Sequence, residues 1–285
     1  MGYEKPCVVC GETKTKEIYS GILKKCLSCG FVNASFDFSE ENPMEIYSEA
    51  YFKGIEYLDY EKEKSALQKN FNKRLNYIFK KANPDNIRSV LEIGCAYGFF
   101  AETLTSRLAG IEYIGLDIAE KAIEYGREKL NQNVYFIDYL EYKPKGIYSD
   151  VFMWDVIEHL PRPDLFLKKI SSELENGGRL YLTTGNIDAL VPRIRQKKWR
   201  MIHPPTHIHY FSTKTLTRLL ESKGFRIGKI TYPWVSRGIK QIYYSLFILK
   251  KDPGKLARKI YKCIPYKLSI PVNTFDIMFV IAIKE

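Results

Sequence analysis

The reading of the fold turns on Ser89-Val-Leu-Glu-Ile-Gly-Cys-Ala-Tyr-Gly98. Val90-Leu91-Glu92-Ile93 is a short apolar run and reads as a buried strand. It breaks into Gly94-Cys95-Ala96-Tyr97-Gly98, after which Phe99, Phe100, Leu104 and Leu108 recur at helical spacing. Strand, glycine-rich turn and helix is the arrangement by which an α/β sheet makes a nucleotide pocket. Gly94, Ala96 and Gly98 carry little or no side chain, so the backbone can approach a ligand closely.

Strand and helix keep alternating downstream, to about residue 184. Tyr113-Ile-Gly-Leu-Asp117 is a strand ending in an acid, 23 residues beyond Gly94, where a carboxylate can accept hydrogen bonds from two ribose hydroxyls. Ile118 follows, then a helix over 119–130. Val134-Tyr-Phe-Ile-Asp138 is a third strand ending in an acid, with Tyr139 next. The fourth strand, Asp150-Val-Phe-Met-Trp-Asp155, runs into Val156-Ile157-Glu158-His159-Leu160-Pro161. A helix over 163–175, capped by Gly177-Gly178, leads to a strand over 179–184.

The spacing separates cofactors. A dinucleotide site uses Gly-x-Gly-x-x-Gly. Here Glu92-x-Gly94-x-Ala96-x-Gly98 resembles the first motif of class I S-adenosylmethionine (SAM) methyltransferases, with alanine at the middle glycine. The resemblance spans about 84 to 284. It implies a Rossmann-like seven-stranded α/β sheet closed by an antiparallel last strand at 275–283. It also implies that SAM is held by Glu92, Gly94, Cys95, Ala96 and Gly98, by Asp117 and Ile118 at the ribose, and by Asp138 and Tyr139 at the adenine. Asp155 and Val156 would lie beside the sulfonium. Tyr47-Ser-Glu-Ala-Tyr51-Phe52 is similar to a segment that covers the methionine end, which points to Tyr47 and Tyr51; aromatic packing under a cap helix is the other reading. Asp155-Val-Ile-Glu-His-Leu160 is similar to small-molecule methyltransferases, and Glu158 and His159 either orient the next loop or touch substrate. The Asn/Asp-Pro-Pro-Tyr/Phe motif of enzymes that methylate base amino groups in nucleic acid is missing at this strand.

The first 38 residues carry a separate signal. Cys7-Val-Val-Cys10-Gly11 and Cys26-Leu-Ser-Cys29-Gly30 form Cys-x2-Cys-x15-Cys-x2-Cys. Four thiolates of Cys7, Cys10, Cys26 and Cys29 in tetrahedral array make a closed structural zinc site, and the metal supplies folding energy that so short a segment lacks. The expected organisation is a zinc ribbon over 1–38, a helical connector or cap over 39–83, and a methyltransferase domain over 84–285. Within that domain, 236–267 reads as a basic helical insertion.

Residues 185–212 form a long loop of the kind found over active sites. Three of the four histidines, His203, His207 and His209, fall within it. Pro205-Thr-His-Ile-His-Tyr-Phe-Ser212 is similar to a segment of SAM methyltransferases acting on sugars, quinones and glycans. Imidazole suits removal of a hydroxyl proton near neutral pH, which makes His207 the first candidate base and His209 the second. Loop ordering through Nδ1 hydrogen bonds is the competing role for either.

Charge is unevenly placed. Of a net +11, residues 190–267 carry 19 Lys/Arg against two acids, Glu221 and Asp252, a local +17, while the remainder carries 25 basic and 31 acidic residues. The C-terminal third should therefore meet an anionic partner, for which a phosphorylated substrate, RNA and membrane headgroups all qualify; a solvated basic face is the other reading. The stretches 239–249 and 255–263 read as amphipathic helices, the second with Leu256 and Ile260 inside and Lys/Arg outside, a pattern suited to a membrane–water interface. No apolar run reaches the length of a membrane span and no signal pattern opens the chain, so the expected location is cytoplasmic, with peripheral membrane contact through 239–263.

The expected reaction is methylation of a small-molecule or glycan acceptor, by O-methylation of a sugar hydroxyl or C-methylation of a keto-sugar. Two other readings stay open: a zinc-ribbon RNA methyltransferase, and a non-catalytic, membrane-associated binding module.

Overall fold

The computed structural model describes residues 6–35, 59–81, 83–248 and 253–285. Tyr47 and Tyr51 lie outside the described residues. The four-cysteine segment forms three short antiparallel strands, β1 (Thr15–Ile18), β2 (Leu23–Cys26) and β3 (Val32–Ala34). Helix α1 (Lys64–Lys81) follows. Its apolar positions Phe71, Leu75 and Ile78 are buried at helical spacing, and the solvent side is Lys-rich.

The alternating core then runs β4 (Ser89–Ile93), α2 (Phe99–Thr105), β5 (Glu112–Asp117), α3 (Glu120–Glu128), β6 (Val134–Phe136), β7 (Tyr148–Trp154), α4 (Pro163–Glu173) and β8 (Leu174–Gly185). A short helix α5 (Leu190–Arg195), strand β9 (His209–Tyr210), α6 (Thr213–Glu221) and β10 (Phe225–Thr231) come next. Ser212 caps α6, its hydroxyl accepting from the Thr215 amide at 3.2 Å. The chain finishes with β11 (Val235–Gly238), α7 (Ile239–Tyr243), α8 (Lys255–Cys263), β12 (Ser269–Val272) and β13 (Ile277–Lys284).

Seven strands form one sheet in the order β10-β13-β8-β7-β4-β5-β6. The five from β8 to β6 are parallel, while β13 pairs antiparallel with both β8 and β10. This is the expected sheet with its antiparallel closing strand. Central strands are apolar on both faces because helices cover both. In β7, Val151 and Met153 enter one core while Phe152 and Trp154 enter the other. Leu180 and Leu182 against Tyr181, and Met278 and Val280 against Phe279, repeat that alternation in β8 and β13.

Three local readings change. The loop over 185–212 contains β9, which adds a fourth strand to the cysteine module in the order β1-β2-β3-β9. The insertion is carried on a hairpin stem, β11 paired with β12, so the strand stem begins one residue ahead of the expected 236. Leu256 and Ile260 of α8 are not inside: they are 71% and 42% exposed, because α8 has no buried residue. Among the described residues, no helix is long and apolar enough to cross a membrane.

Candidate active site

The turn after β4 is built on left-handed backbone. Gly94, Ala96 and Gly98 have φ of 76°, 45° and 74°. A Cβ at Gly94 would stand 2.4 Å from Val156 Cγ2, so both the conformation and the space require glycine. The amides of Gly94 and Cys95 donate to the Leu116 carbonyl at 2.8 and 3.1 Å. Asp117, at the tip of β5, accepts from the Ala96 amide with one carboxylate oxygen (2.8 Å) and from the Ala119 amide with the other (2.9 Å). One acid thus fixes the glycine turn and the start of α3 together. Burial raises the Asp117 pKa, and these amides oppose it.

Glu92 is buried beneath the turn, where the Tyr113 hydroxyl donates to its carboxyl. Burial pushes its pKa up to about 8, so its protonated form predominates at neutral pH. Ile118 is half-buried just beyond Asp117. Asp138 follows β6 and accepts from the Leu140 amide at 2.7 Å. The side chain of Tyr139 turns into the protein, its hydroxyl donating to Glu173 at 2.7 Å.

A cleft of about 210 Å³ opens at the carboxyl edge of β4 and β7, lined by Glu92, Gly94, Cys95 and Asp155 among others. This is the edge at which open α/β sheets place ligands. Asp155 is held at φ 56°, and its amide bonds to the Thr183 hydroxyl and carbonyl at 3.0 and 3.2 Å. Arg74 reaches the cleft from the buried face of α1. Its guanidinium lies 4.8 Å from the Trp154 ring centre and 3.9 Å from an Asp155 carboxylate oxygen. Sequence reading missed Arg74; the available signal was one arginine among the apolar positions of that helix. Arg200 and Arg237, from the basic third, line the same cleft. Arg200 is 3.6 Å from Asp276, which also accepts from the Trp199 indole at 2.7 Å and so anchors the loop.

The histidines separate into two environments. His207 is buried at the cleft, its Nδ1 2.9 Å from the Met201 carbonyl. His159 also lines the cleft, with Nδ1 2.8 Å from the Thr206 carbonyl. A carbonyl only accepts, so each Nδ1 carries the proton, and the His159 ring has the Asp155 backbone as a further partner. The two rings meet edge to face at 4.5 Å, and the His203 ring lies tilted against His207 at 3.9 Å. Glu158 is buried beside them, and one ligand atom from each of Glu158, His159 and His207 lies within 4.8 Å of the others. Burial lowers the pKa of both imidazoles, to about 4 for His159. His209 faces elsewhere, packed between Phe31 and Phe211 with ring centres 5.4 and 6.1 Å away.

The four cysteine sulfurs form a second cluster. Sγ of Cys7 and Cys29, and of Cys10 and Cys26, are each 3.6 Å apart, too far for disulfides. A tetrahedral zinc with bonds of about 2.3 Å has sulfur–sulfur edges of about 3.8 Å, so this donor set fits that ion. Gly11 and Gly30, at φ of 76° and 80°, close the two knuckles by donating to the Cys7 and Cys26 carbonyls.

Sheet order, glycine turn and acid-tipped strands together define a class I SAM-dependent methyltransferase domain. A family model described as a methyltransferase domain matches residues 57–229, more than half of the chain, and the chain belongs to that family. The ubiquinone biosynthesis O-methyltransferase of Acinetobacter baumannii (strain AYE) is 31% identical over 121 residues, covering 40% of this chain and 50% of that protein. The mitochondrial ubiquinone biosynthesis O-methyltransferase of Dictyostelium discoideum is 25% identical over 194 residues, covering 57% and 60%. The chain thus spans about half the length of the curated relatives it matches. Among solved structures, magnesium protoporphyrin IX methyltransferase from Synechocystis PCC 6803 with bound SAM superposes with a TM-score of 0.52 at 13% identity, covering 87% of this chain and 99% of that one. A SAM-dependent methyltransferase from Archaeoglobus fulgidus gives 0.51 at 24% identity, covering 83% and 97%. At these identities the likeness is one of fold.

Proposed function

We propose that the chain transfers the methyl group of SAM to an oxygen of a small-molecule acceptor, foremost a sugar or glycan hydroxyl. The observation that carries this reading is one cleft that brings Gly94 and Asp155 together with the cluster of buried Glu158, half-buried His159 and buried His207. SAM supplies an electrophilic methyl carbon activated by the sulfonium. Gly94, Cys95, Ala96 and Gly98 leave room for it, Asp117 and Ile118 hold the ribose, and Asp138 with the Tyr139 backbone takes the adenine. Asp155 and Val156 border the reacting end.

The acceptor is placed in line with the methyl carbon, and its hydroxyl proton passes to the Nε2 of His207. The oxygen lone pair forms the new C–O bond as the S–C bond breaks, and sulfur keeps the electron pair. Burial keeps His207 neutral before the reaction, and the same burial disfavours the imidazolium that proton uptake would form. His209, facing Phe31, serves instead to order the loop. Arg200 and Arg237 give the cleft an anion-binding wall, which suits an acceptor carrying phosphate or carboxylate.

A second acceptor class is an aryl hydroxyl. It is favoured by the names of the relatives and by the exposed apolar residues Leu246, Phe247, Leu256 and Ile260 on the basic insertion. That surface would rest on an anionic bilayer and give a lipid-borne acceptor access to the cleft. The four cysteines hold a structural zinc whose role is to support the active-site loop. The test is transfer of labelled methyl from SAM to nucleotide-sugars, lipid-linked glycans, hydroxyarenes and RNA in parallel. Labelling of a sugar or aryl hydroxyl supports the reading; labelling of RNA alone overturns it.

A further inference from the structure

We infer that Glu63, at the start of α1, and Arg237, on the basic insertion, form a specificity subsite that grips hydroxyls of a polyhydroxylated acceptor other than the one being methylated. The inference rests on the assignment of this cleft as the methyl-transfer site. Within that reading it selects a sugar over an aryl hydroxyl.

Glu63 is the first observation. Its carbonyl accepts from the Ala66 and Leu67 amides at 2.9 and 3.1 Å and so starts α1. Glu63, Asn70 and Arg74 then follow at helical spacing along the wall of the cleft. Glu63 is only 6% exposed, and its Oε1 has no hydrogen-bond partner. A buried carboxylate oxygen left bare is unfavourable, because it has lost water and gained no donor in return. Burial and the neighbouring Asp59 raise the Glu63 pKa to about 7, and Arg237 opposes them. A ligand hydroxyl donating to this carboxylate would stabilise its charged form.

Arg237 is the second observation. It lies on β11 and lines the same cleft. Among the described residues, no hydrogen bond or salt bridge engages its guanidinium. Burial and the adjacent Arg200 lower its pKa to about 10, so it remains charged at neutral pH. The strand that carries it is clamped to α1. The Asn70 side chain accepts from the Ser236 amide at 2.6 Å and donates to the Ser236 carbonyl at 3.0 Å, and the Lys73 ammonium donates to the Ser236 hydroxyl at 2.9 Å. Glu63 and Arg237 therefore stand on one hydrogen-bonded frame and face one cleft, without a salt bridge between them.

Their needs are complementary. An ionised carboxylate only accepts and a guanidinium only donates, whereas a hydroxyl does both. Neighbouring hydroxyls of one sugar ring can satisfy the two together, through hydrogen bonds that charge makes roughly twice as strong as neutral ones. A monohydroxylated arene has one hydroxyl, and that one is occupied at the methyl carbon.

The test is saturation-transfer NMR of the protein loaded with S-adenosylhomocysteine. The probes are methyl glycosides of hexoses, 6-deoxyhexoses and hexuronates, with phenol alongside. At least one glycoside is expected to bind, with its Kd raised at least fivefold in Glu63→Met and in Arg237→Met, which keep volume and remove the polar group. SAM affinity and melting temperature should stay close to wild type, and any phenol signal should not change. Deoxygenating the bound glycoside at the gripped position should weaken binding to the wild type more than to Glu63→Met, a coupling that a merely structural role would not produce. No glycoside binding by the wild type, or binding unchanged in either variant, would overturn the inference. So would a loss confined to SAM affinity, which would assign the pair to the cofactor. Absence of SAM binding by the wild type would instead defeat the methyltransferase reading.

Discussion

Ala34, in the last strand of the cysteine module, and Glu158, at the cleft, are joined through a single residue. The Ala34 amide donates to the Ile208 carbonyl at 2.8 Å, and the Ile208 amide donates to the Glu158 carbonyl at 3.0 Å. Beside this link, β3 pairs with β9, setting Asn33 opposite His209 and Val32 opposite Tyr210. The cysteine cluster is therefore mechanically continuous with the loop that carries His207, and the module braces one wall of the cleft.

With zinc at the four cysteines, as proposed, its removal should loosen residues 206–210. Hydrogen exchange followed by mass spectrometry is expected to show faster exchange there, with loss of methyl transfer, while the β4–β7 core stays protected. Phe31→Ala tests the same brace without touching a ligand. Phe31 is buried against His209 and Phe211, and its truncation should cost about 3–5 kcal/mol by denaturant unfolding. Unchanged exchange at 206–210 after metal removal would separate the module from the site.

Gly94→Ala should damage both folding and cofactor binding. The added methyl meets Val156 at 2.4 Å, and φ is 76°. Overpacking of this kind costs about 1–3 kcal/mol. Gly94→Ala combined with Val156→Ala relieves the contact but not the backbone strain, so thermal melts should show partial recovery. Full recovery would mean that the left-handed turn contributes nothing.

Glu92 sets a pH dependence of stability. Its folded pKa, pushed up by burial to about 8, lies above the ordinary value of 4.5. Its contribution to stability is fully present below about pH 4.5 and is lost as pH rises through about 8, because the unfolded chain ionises first. Glu92→Gln cannot ionise, so its unfolding free energy should fall less steeply over that window. Parallel pH profiles for the two proteins would contradict this assignment.

The insertion should bind anionic vesicles. Leu246 and Leu256 are 56% and 71% exposed, and Lys255, Arg258, Lys259 and Lys262 lie on α8. Sedimentation with phosphatidylserine vesicles is expected to fall in Leu256→Asp/Ile260→Asp and to weaken with added salt. Equal sedimentation of the double variant would move the membrane contact elsewhere.

Where structure depends on local pattern, it was legible in the sequence. The strand–turn–helix at 90–104, the acid-tipped β5 and the paired Cys-x2-Cys knuckles each announce themselves within a few residues. Elements defined by a distant partner were not. β9 has two residues, too short to show a period, and exists because β3 lies alongside it. Arg74 sits on an apolar helix face, and only the fold reveals that this face ends at Asp155. The meeting of His159 with His207 joins segments 48 positions apart, which no spacing rule connects. For Leu256 and Ile260 the amphipathic pattern was read correctly, but a pattern alone does not say whether its apolar face is covered.

Binding of SAM at the glycine turn and the tip of β5, proposed above, is read by calorimetric titration without need of an acceptor. Folded protein is predicted to bind one SAM per chain with micromolar affinity and to show no heat with NAD. Asp117→Ala, which removes the acid bonded to the Ala96 and Ala119 amides, should weaken SAM binding by well over tenfold. Absence of SAM binding by the folded wild type would mean that the turn after β4 does not hold the methyl donor.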